Sequence, residues 1–412
     1  MGSESTSIRS IYMAILLMGI VSLLGDVVYE GSRGLVPDYL AFLGASAFII
    51  VFVGRFGEFL GYALRLVSGV LADTTRAYWA FIFLGYGLVA SIPLLGFTNL
   101  WWIALILVVL ERIGKAVRAP ARDAVLSIIS RGVGAGKAFG IHELLDQIGA
   151  ILGPLLVAAL MFYSGNNYSQ TFSLMLAPFL SLIVFLTFTY RKIGSSKLAE
   201  TGKVLEGGGR LGEAFYFYTF AVVLNTVGLI PYELILLKAS AILQPVNQQW
   251  MVPLIYMLIQ GVDAPTALFA GYSYDRYKIR VLTLPFILSV FPTLFALANA
   301  DIAAIIAAAA FFGLVLGMQE SIYRAAVSEF ASITSRGTAY GIFNTAYGVG
   351  MLAGGFVYGL FAAMNPPYCS IVLYVVATQA TAVFLLFKAY SLTTHKLENV
   401  KNLDKFHFHG GE

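Results

Sequence analysis

The chain has 412 residues, of which 59% are hydrophobic and only 12% charged, and a mean hydropathy of +0.81; a soluble domain carries roughly 25% charged residues. Such a composition cannot present a wettable surface, and the formal net charge of +4 calls for no nucleic-acid partner, because membrane orientation accounts for a basic excess of this size. The single cysteine, Cys369, excludes an internal disulfide framework and any multi-cysteine metal cluster.

Within a lipid bilayer the backbone must satisfy itself, which leaves helices or closed barrels. The apolar stretches here are about 20 residues long, the length of a spanning helix. In chain order the expected spans are 10–37, 46–72, Tyr78 to Phe97, 102–129, 137–162, Thr171 to Tyr190, 213–237, 251–273, Val281 to Ala300, 302–329, Gly337 to Asn365 and Ser370 to Phe387. The five written with residue names carry no Asp, Glu, Lys or Arg. The first span is too long and too polar-studded for a cleaved signal segment. The fold class expected is an all-α membrane protein of twelve helices. It divides into a six-helix bundle over 1–190, a polar Gly-rich linker over 191–210 containing Gly207, Gly208 and Gly209, a second bundle over 211–390 and a polar tail over 391–412.

An even number of spans puts both termini on one side. With the N-terminus inside, the inner segments gather Arg76, Arg131, Lys137, Arg191, Lys192, Lys197, Lys203, Arg210, Arg276, Lys278, Arg280 and Arg336, while the outer loops near 98–101, 163–170, 298–301 and 363–369 hold no basic residue. That asymmetry makes both termini cytoplasmic in a plasma or inner membrane. Lys238, near the outer end of the seventh span, is the exception.

The two halves repeat. Gly69-Val-Leu-Ala-Asp73 recurs as Gly271-Tyr-Ser-Tyr-Asp275, and Arg122-Asp-Ala-Val as Arg324-Ala-Ala-Val, both at an offset of 202 residues (69 to 271 and 122 to 324). Gly140, Gly149 and Gly153 recur as Gly341, Gly350 and Gly354 at an offset of 201 (140 to 341). Matches whose offsets agree to within one residue indicate duplicated halves.

These motifs resemble the major facilitator superfamily over nearly the whole chain. The family's loop signature is a glycine, three residues, an aspartate and then basic residues. Gly271 to Asp275 followed by Arg276, Lys278 and Arg280 fits it; Gly69 to Asp73 is followed by Thr74, Thr75 and only then Arg76. Arg112, in Glu111-Arg112-Ile-Gly114-Lys115, resembles the family's arginine of the fourth span. Gly140, Gly149, Gly153 and Pro154 match the fifth-span pattern of proton-driven exporters, with Val157 and Ala158 in place of its last glycines. The resemblance implies alternating access by rocking of two halves, with Asp73, Arg76, Arg122, Asp275, Arg276 and Arg324 acting as a conformational gate. Independently of the family, Asp73 can bridge to Arg65, Arg76 or Arg122, and the glycines let helices approach closely.

An ionisable group deep in a span costs about 2.5–3.5 kcal/mol on insertion scales, so each is a functional candidate by default. Charge is concentrated in the first half: Asp26, Glu30, Arg33, Arg55, Glu58, Arg65, Glu111, Arg112, Lys115, Arg118, Arg122, Asp123, His142, Glu143 and Asp146. The second half carries Glu233, Asp263, Glu320, Arg324 and Glu329, and otherwise hydrogen-bonding groups: Asn225, Tyr232, Gln260, Gln319, Tyr323, Asn344 and Tyr347. Depth counted at about 1.5 Å per residue groups Asp26, Arg55, Glu58, Glu111 and Arg112 near the midplane. It also sets Lys115 and Arg118 level with His142, Glu143 and Asp146, so Lys115 or Arg118 is expected to pair with Glu143 or Asp146. Two readings stay open: the pairs neutralise one another to hold the bundle, or carboxylates among Asp26, Glu30, Glu58, Glu111, Glu143 and Asp146 exchange protons as the cavity changes side.

The expected function is secondary transport of a small solute by a monomer, coupled to protons and running outward by antiport. The alternative is symport or uniport of a small organic anion held by Arg55 and Arg112. A membrane-embedded enzyme would need a nucleophile or metal constellation, and a receptor would not need so many buried charges; neither is expected. No Walker loop is present, so ATP does not drive the protein directly, and no cofactor or metal is expected.

Overall fold

The computed structural model describes residues 8–130, 133–194, 211–298, 301–331 and 336–408; most of the expected linker, from residue 195 on, lies outside the described residues. Twelve helical spans follow in order: span 1 (Ile8–Arg33), span 2 (Ala47–Thr75), span 3 (Tyr78–Phe97), span 4 (Trp101–Ile129), span 5 (Gly136–Tyr163), span 6 (Tyr168–Ile193), span 7 (Glu213–Val246), span 8 (Gln249–Tyr277), span 9 (Ile279–Ala298), span 10 (Ile302–Phe330), span 11 (Thr338–Met364) and span 12 (Tyr368–Thr393). Eleven are apolar enough to cross a bilayer by composition alone. Span 4 is not, because it carries Glu111, Arg112, Lys115, Arg118, Arg122 and Asp123; a helix this charged can exist in a membrane only if it faces protein. Below, "inner" denotes the face bearing both chain ends and "outer" the opposite face.

Two irregularities place the site. Span 7 is expected to be continuous over 213–237, but its helix stops at Gly228 and restarts at Tyr232. Pro231, extended at ψ 138°, lacks an N–H and removes a ladder bond where the helix breaks. The second segment, Tyr232–Leu243, carries Glu233 in its first turn, where the helix dipole favours a carboxylate. In span 10, residues Gln319–Tyr323 form a π-helix, a feature that often accompanies function.

Association between helices in lipid depends on close packing and polar contacts rather than on the hydrophobic effect. Gly149 and Gly153 put span 5 directly on span 1: a Cβ at Gly153 would lie 2.7 Å from both Gly31 N and Val27 O, and one at Gly149 2.6 Å from Leu23 O. Their repeats, Gly350 and Gly354, face the backbone of span 7 at 3.1 Å from Val223 O and 3.0 Å from Thr226 O. Gly140 and Gly341 differ from the other members of their motifs, since a Cβ on either would meet nothing within 4 Å. Pro154 follows Gly153 inside span 5.

The second half is tied by a polar hub. Asn225 donates to Ser289 Oγ (2.9 Å) and Gln379 Oε1 (2.8 Å), and its side-chain oxygen accepts from Gln319 (2.9 Å) and Tyr323 (2.7 Å). Tyr347 donates to Gln319 Oε1 at 3.0 Å. A network so fully satisfied gives spans 7, 9, 10, 11 and 12 a single arrangement.

The halves meet at the outer face. Asn166 donates to Asn247 O and Oδ1 (both 3.0 Å) and accepts from Trp250 N (3.0 Å). Phe162 packs on Trp250 (5.2 Å between centroids), and Phe48 and Phe52 on Phe356 (5.9 and 6.2 Å). Further inward Tyr62 of the first half meets the Tyr347 ring at 5.4 Å and the Arg324 side chain. Around that level Glu143, Glu320 and Arg324 are exposed. The outer mouth is shut, and a cleft between the halves opens toward the inner face.

Candidate functional site

The roof of this cleft is built where span 7 breaks. Arg55 of span 2 meets Glu233 at 2.9 Å and lies over the Tyr232 ring at 5.1 Å. Among the described residues this is the one ion pair that joins the halves. Arg112 reaches Glu58 at 3.0 Å and donates to the Tyr232 hydroxyl at 3.1 Å, again across the halves. Glu30 pairs with Arg33 (2.9 Å) and Lys115 (3.5 Å) and accepts from Tyr256 of span 8 (2.6 Å). Arg33 also reaches Glu58 at 3.4 Å. Glu111 lies 3.6 Å from Arg112 through one oxygen, and its other oxygen has no donor among the described residues. The expected midplane group is therefore assembled in part, with Arg55, Glu58, Glu111 and Arg112 together.

Asp26 lies apart from that group, packed on Gly149 of span 5. A second network fills the inner part of the first half. Arg122 meets Asp123 (3.0 Å), Asp146 (3.4 Å) and Ser22 Oγ (2.8 Å), and His142 Nδ1 is 3.6 Å from Asp146. Here the structure corrects the expected pairing. Neither Lys115 nor Arg118 reaches Glu143 or Asp146: Lys115 goes to Glu30, Glu143 accepts from Gln147 at 3.3 Å, and Arg122 takes Asp146 one turn further along span 4. Arg118, only 2% exposed, is stacked on Tyr29 (4.8 Å) and Tyr86 (4.9 Å). The Tyr29 ring also takes Lys115 (4.7 Å) and Arg33 (5.3 Å). Arg118 and His142 are thus buried within the first half, and Asn225 within the second.

Across the cleft, Glu320 and Arg324 of span 10 face the first half, with Lys115, Glu143 and Glu30 within electrostatic reach of Glu320. Asp263 of span 8 is buried against Gly317 and has one carboxylate oxygen without a donor among the described residues. Gln260 is buried beside it on span 8, and Asn344 is half-buried on span 11.

The gate residues are parted. Among the described residues Asp73 forms no ion pair with Arg65, Arg76 or Arg122; it accepts from Tyr78 at 3.0 Å. Arg76 is a left-handed helix terminus with φ 55°. Asp275 and Arg276 are exposed, Arg276 stacking on Tyr277 at 5.2 Å, while Lys278 takes Glu329 at 2.8 Å. Gly69 lies against Pro120, and Gly271 beside Ser321. A latch that locks the inner side would be open in a state whose inner cleft is open.

Sequence alone counts Glu233 among the intramembrane acids without placing it in the cavity, and it does not single out Tyr29, Tyr86, Tyr256, Gln379 or Asp38. The signal for Glu233 was local: a proline directly before Tyr232 and Glu233 inside an apolar run.

The sequence profile of the Major Facilitator Superfamily matches residues 9–355 and 211–408. An uncharacterized protein of Mycobacterium tuberculosis is 34% identical over 385 residues, covering 92% of this chain and 93% of the relative. An uncharacterized MFS-type transporter of Methanocaldococcus jannaschii is 28% identical over 365 residues, covering 87% and 90%. Among solved structures, a point mutant of the nucleoside transporter NupG is similar at a TM-score of 0.73 with 13% identity over 92% of this chain and 100% of that one. A mutant of the peptide transporter POT in complex with sulfate is similar at 0.67 with 12% identity over 92% and 94%. With a profile match of this extent and the fold described above, the chain belongs to the Major Facilitator Superfamily and is a multi-pass membrane transporter.

Proposed function

We propose that the chain exports a small solute from the cytoplasm in exchange for protons, by alternating access, working as a monomer in the cell membrane with both termini cytoplasmic. The observation that carries this reading is the Arg55–Glu233 pair, buried at the break in span 7 and shared between the halves. Opening the outer mouth must pull it apart. A carboxylate parted from its cation in a low-dielectric site has to find another positive charge or a proton. Either event ties the conformational change to proton binding. Glu233 therefore joins Asp26, Glu30, Glu58, Glu111, Glu143 and Asp146 as a candidate coupling group.

Outward exchange is preferred because the Gly149, Gly153 and Pro154 pattern of span 5 is the exporter-like one, and its glycines make the close span 1 contact. The anion reading has less support. Arg112 is already engaged by Glu58 and Tyr232, and Arg55 is held by Glu233 through one nitrogen, so a bound anion would have to compete with both carboxylates. The test is uphill transport and solute exchange in proteoliposomes, with Asn or Gln in place of each of the seven acids. Loss of uphill movement with retained exchange identifies the coupling acid. Full proton-driven accumulation in all seven variants would assign every one of them to structure.

A further inference from the structure

One buried carboxylate lies outside the two charge networks and outside the spans. Asp38 sits on the short outer helix Val36–Phe42, between spans 1 and 2, and is only 4% exposed. It accepts from the Tyr168 hydroxyl of span 6 at 2.8 Å and from the Ser240 hydroxyl of span 7. The second bond crosses the halves at the mouth that is shut. Asn166, Asn247 and Trp250 close the same mouth, and both asparagines stand in left-handed turns (φ 63° and 56°) that hold their side chains toward each other. Among the described residues no cation pairs with Asp38. Of the charged or titratable groups on the elements packed around this helix, only the Tyr168 phenol touches it. Arg33 of span 1, Arg55 and Glu58 of span 2, Glu111 and Arg112 of span 4, and Glu233 and Lys238 of span 7 make no bond to it among the described residues.

We propose that Asp38 is a proton-operated latch of the outer gate, which shuts most firmly when its carboxyl is protonated from the outer side. Closing the mouth removes Asp38 from water and supplies two hydroxyl donors but no positive charge. The neutral carboxyl still satisfies the site, since it can accept one bond and donate another, whereas the carboxylate pays for desolvation. Burial pushes the Asp38 carboxyl above the ordinary aspartate range, against the opposing pull of the Ser240 and Tyr168 bonds. A group whose proton binds more tightly in the shut state favours that state fully at pH below its open-state value. The advantage fades as pH rises through the raised, shut-state value. External acid therefore holds the outer mouth shut, and external alkali releases it.

The proposal requires only alternating access, so its test needs no transported solute and is separate from the antiport reading. Exposed Cys369 is first replaced by serine. Spin labels then go on cysteines at Tyr163 and Val246, exposed outer residues of the two halves. Distances are measured in full-length protein in lipid nanodiscs between pH 4 and 8. The open-to-shut ratio should rise by up to about tenfold per pH unit within the window set by Asp38. Asp38→Asn, which resembles the neutral carboxyl, should stay shut across the range and lose that slope. Asp38→Ala should open at every pH. Ser240→Ala, which leaves the carboxyl in place, should open the mouth chiefly at high pH. An Asp38→Asn protein with the unaltered slope, or one that opens as readily as Asp38→Ala, would overturn the latch. So would a Ser240→Ala protein with unchanged distances.

Discussion

Replacing Glu233 with glutamine strips the roof of the cleft of its negative charge and leaves Arg55 buried beside the Tyr232 ring. Removing one partner of a buried ion pair costs about 3–5 kcal/mol, because the remaining charge stays desolvated. The ring offsets part of this, since a desolvated cation–π contact contributes about 2 kcal/mol. The net cost falls on the shut-mouth state alone, because the pair is parted when the mouth opens. A remainder of about 1–3 kcal/mol moves the open-to-shut ratio by roughly 5- to 150-fold. The assay is the label distance across the outer mouth, Tyr163 to Val246, with the thermal transition of the same samples as a control for folding. The double variant Arg55→Met with Glu233→Gln removes both charges, and its ratio should return to within a few-fold of the parent. If the two single substitutions simply add in the double variant, the residues are not coupled, and the cross-half pair does not set the conformational balance.

Other expectations rest on other contacts. Arg118→Met should be nearly neutral in thermal stability, because no carboxylate is stranded and only the Tyr29 and Tyr86 stacking is lost. Arg122→Met, which strands the largely buried Asp146, should lower it by several degrees. Gly153→Val drives a side chain into the backbone of Val27 and Gly31 and should abolish a monodisperse peak in fluorescence-detected gel filtration; Gly140→Ala, with open space, should leave the peak intact. Asn225→Leu removes the shared acceptor of Gln319 and Tyr323 and should destabilise the second half by about 2–5 kcal/mol, read as a fall in midpoint on thermal unfolding.

Which parts of this architecture can be read from the sequence follows from what each signal measures. Span length and the 202-residue repeat are one-dimensional, so the twelve helices, the duplicated halves and the paired glycines at 149, 153, 350 and 354 are legible directly. Depth is also one-dimensional, and it brings Arg55, Glu58, Glu111 and Arg112 together. Rotation about the helix axis is not, and that is where the pairing of span 4 departs from expectation. Lys115, Arg118 and Arg122 lie on one stripe of that helix, yet they turn to Glu30, to two tyrosines and to Asp146 respectively. Span 1 packs along span 5 and supplies Glu30 and Tyr29, so the span 5 acids are left to the innermost of the three cations. The break in span 7 was hidden for a different reason. Leu229 and Ile230 continue the apolar run, and hydropathy does not register a missing N–H at Pro231. Asp38 escaped notice because it lies between spans, where a carboxylate is ordinarily solvated; only the folded chain brings Tyr168 and Ser240 over it.

The proposed linkage between conformational change and proton movement runs through buried carboxylates, Glu233 foremost. It is tested most directly by proteoliposomes holding the purified protein, a pH-sensitive dye in the lumen and a solute selected by thermal-shift screening. An imposed proton gradient should drive that solute uphill, proton and solute should cross in opposite directions, and Glu233→Gln should abolish the uphill component. Solute movement that is unchanged when the proton gradient is collapsed, in the parent and in Glu233→Gln alike, would contradict the account.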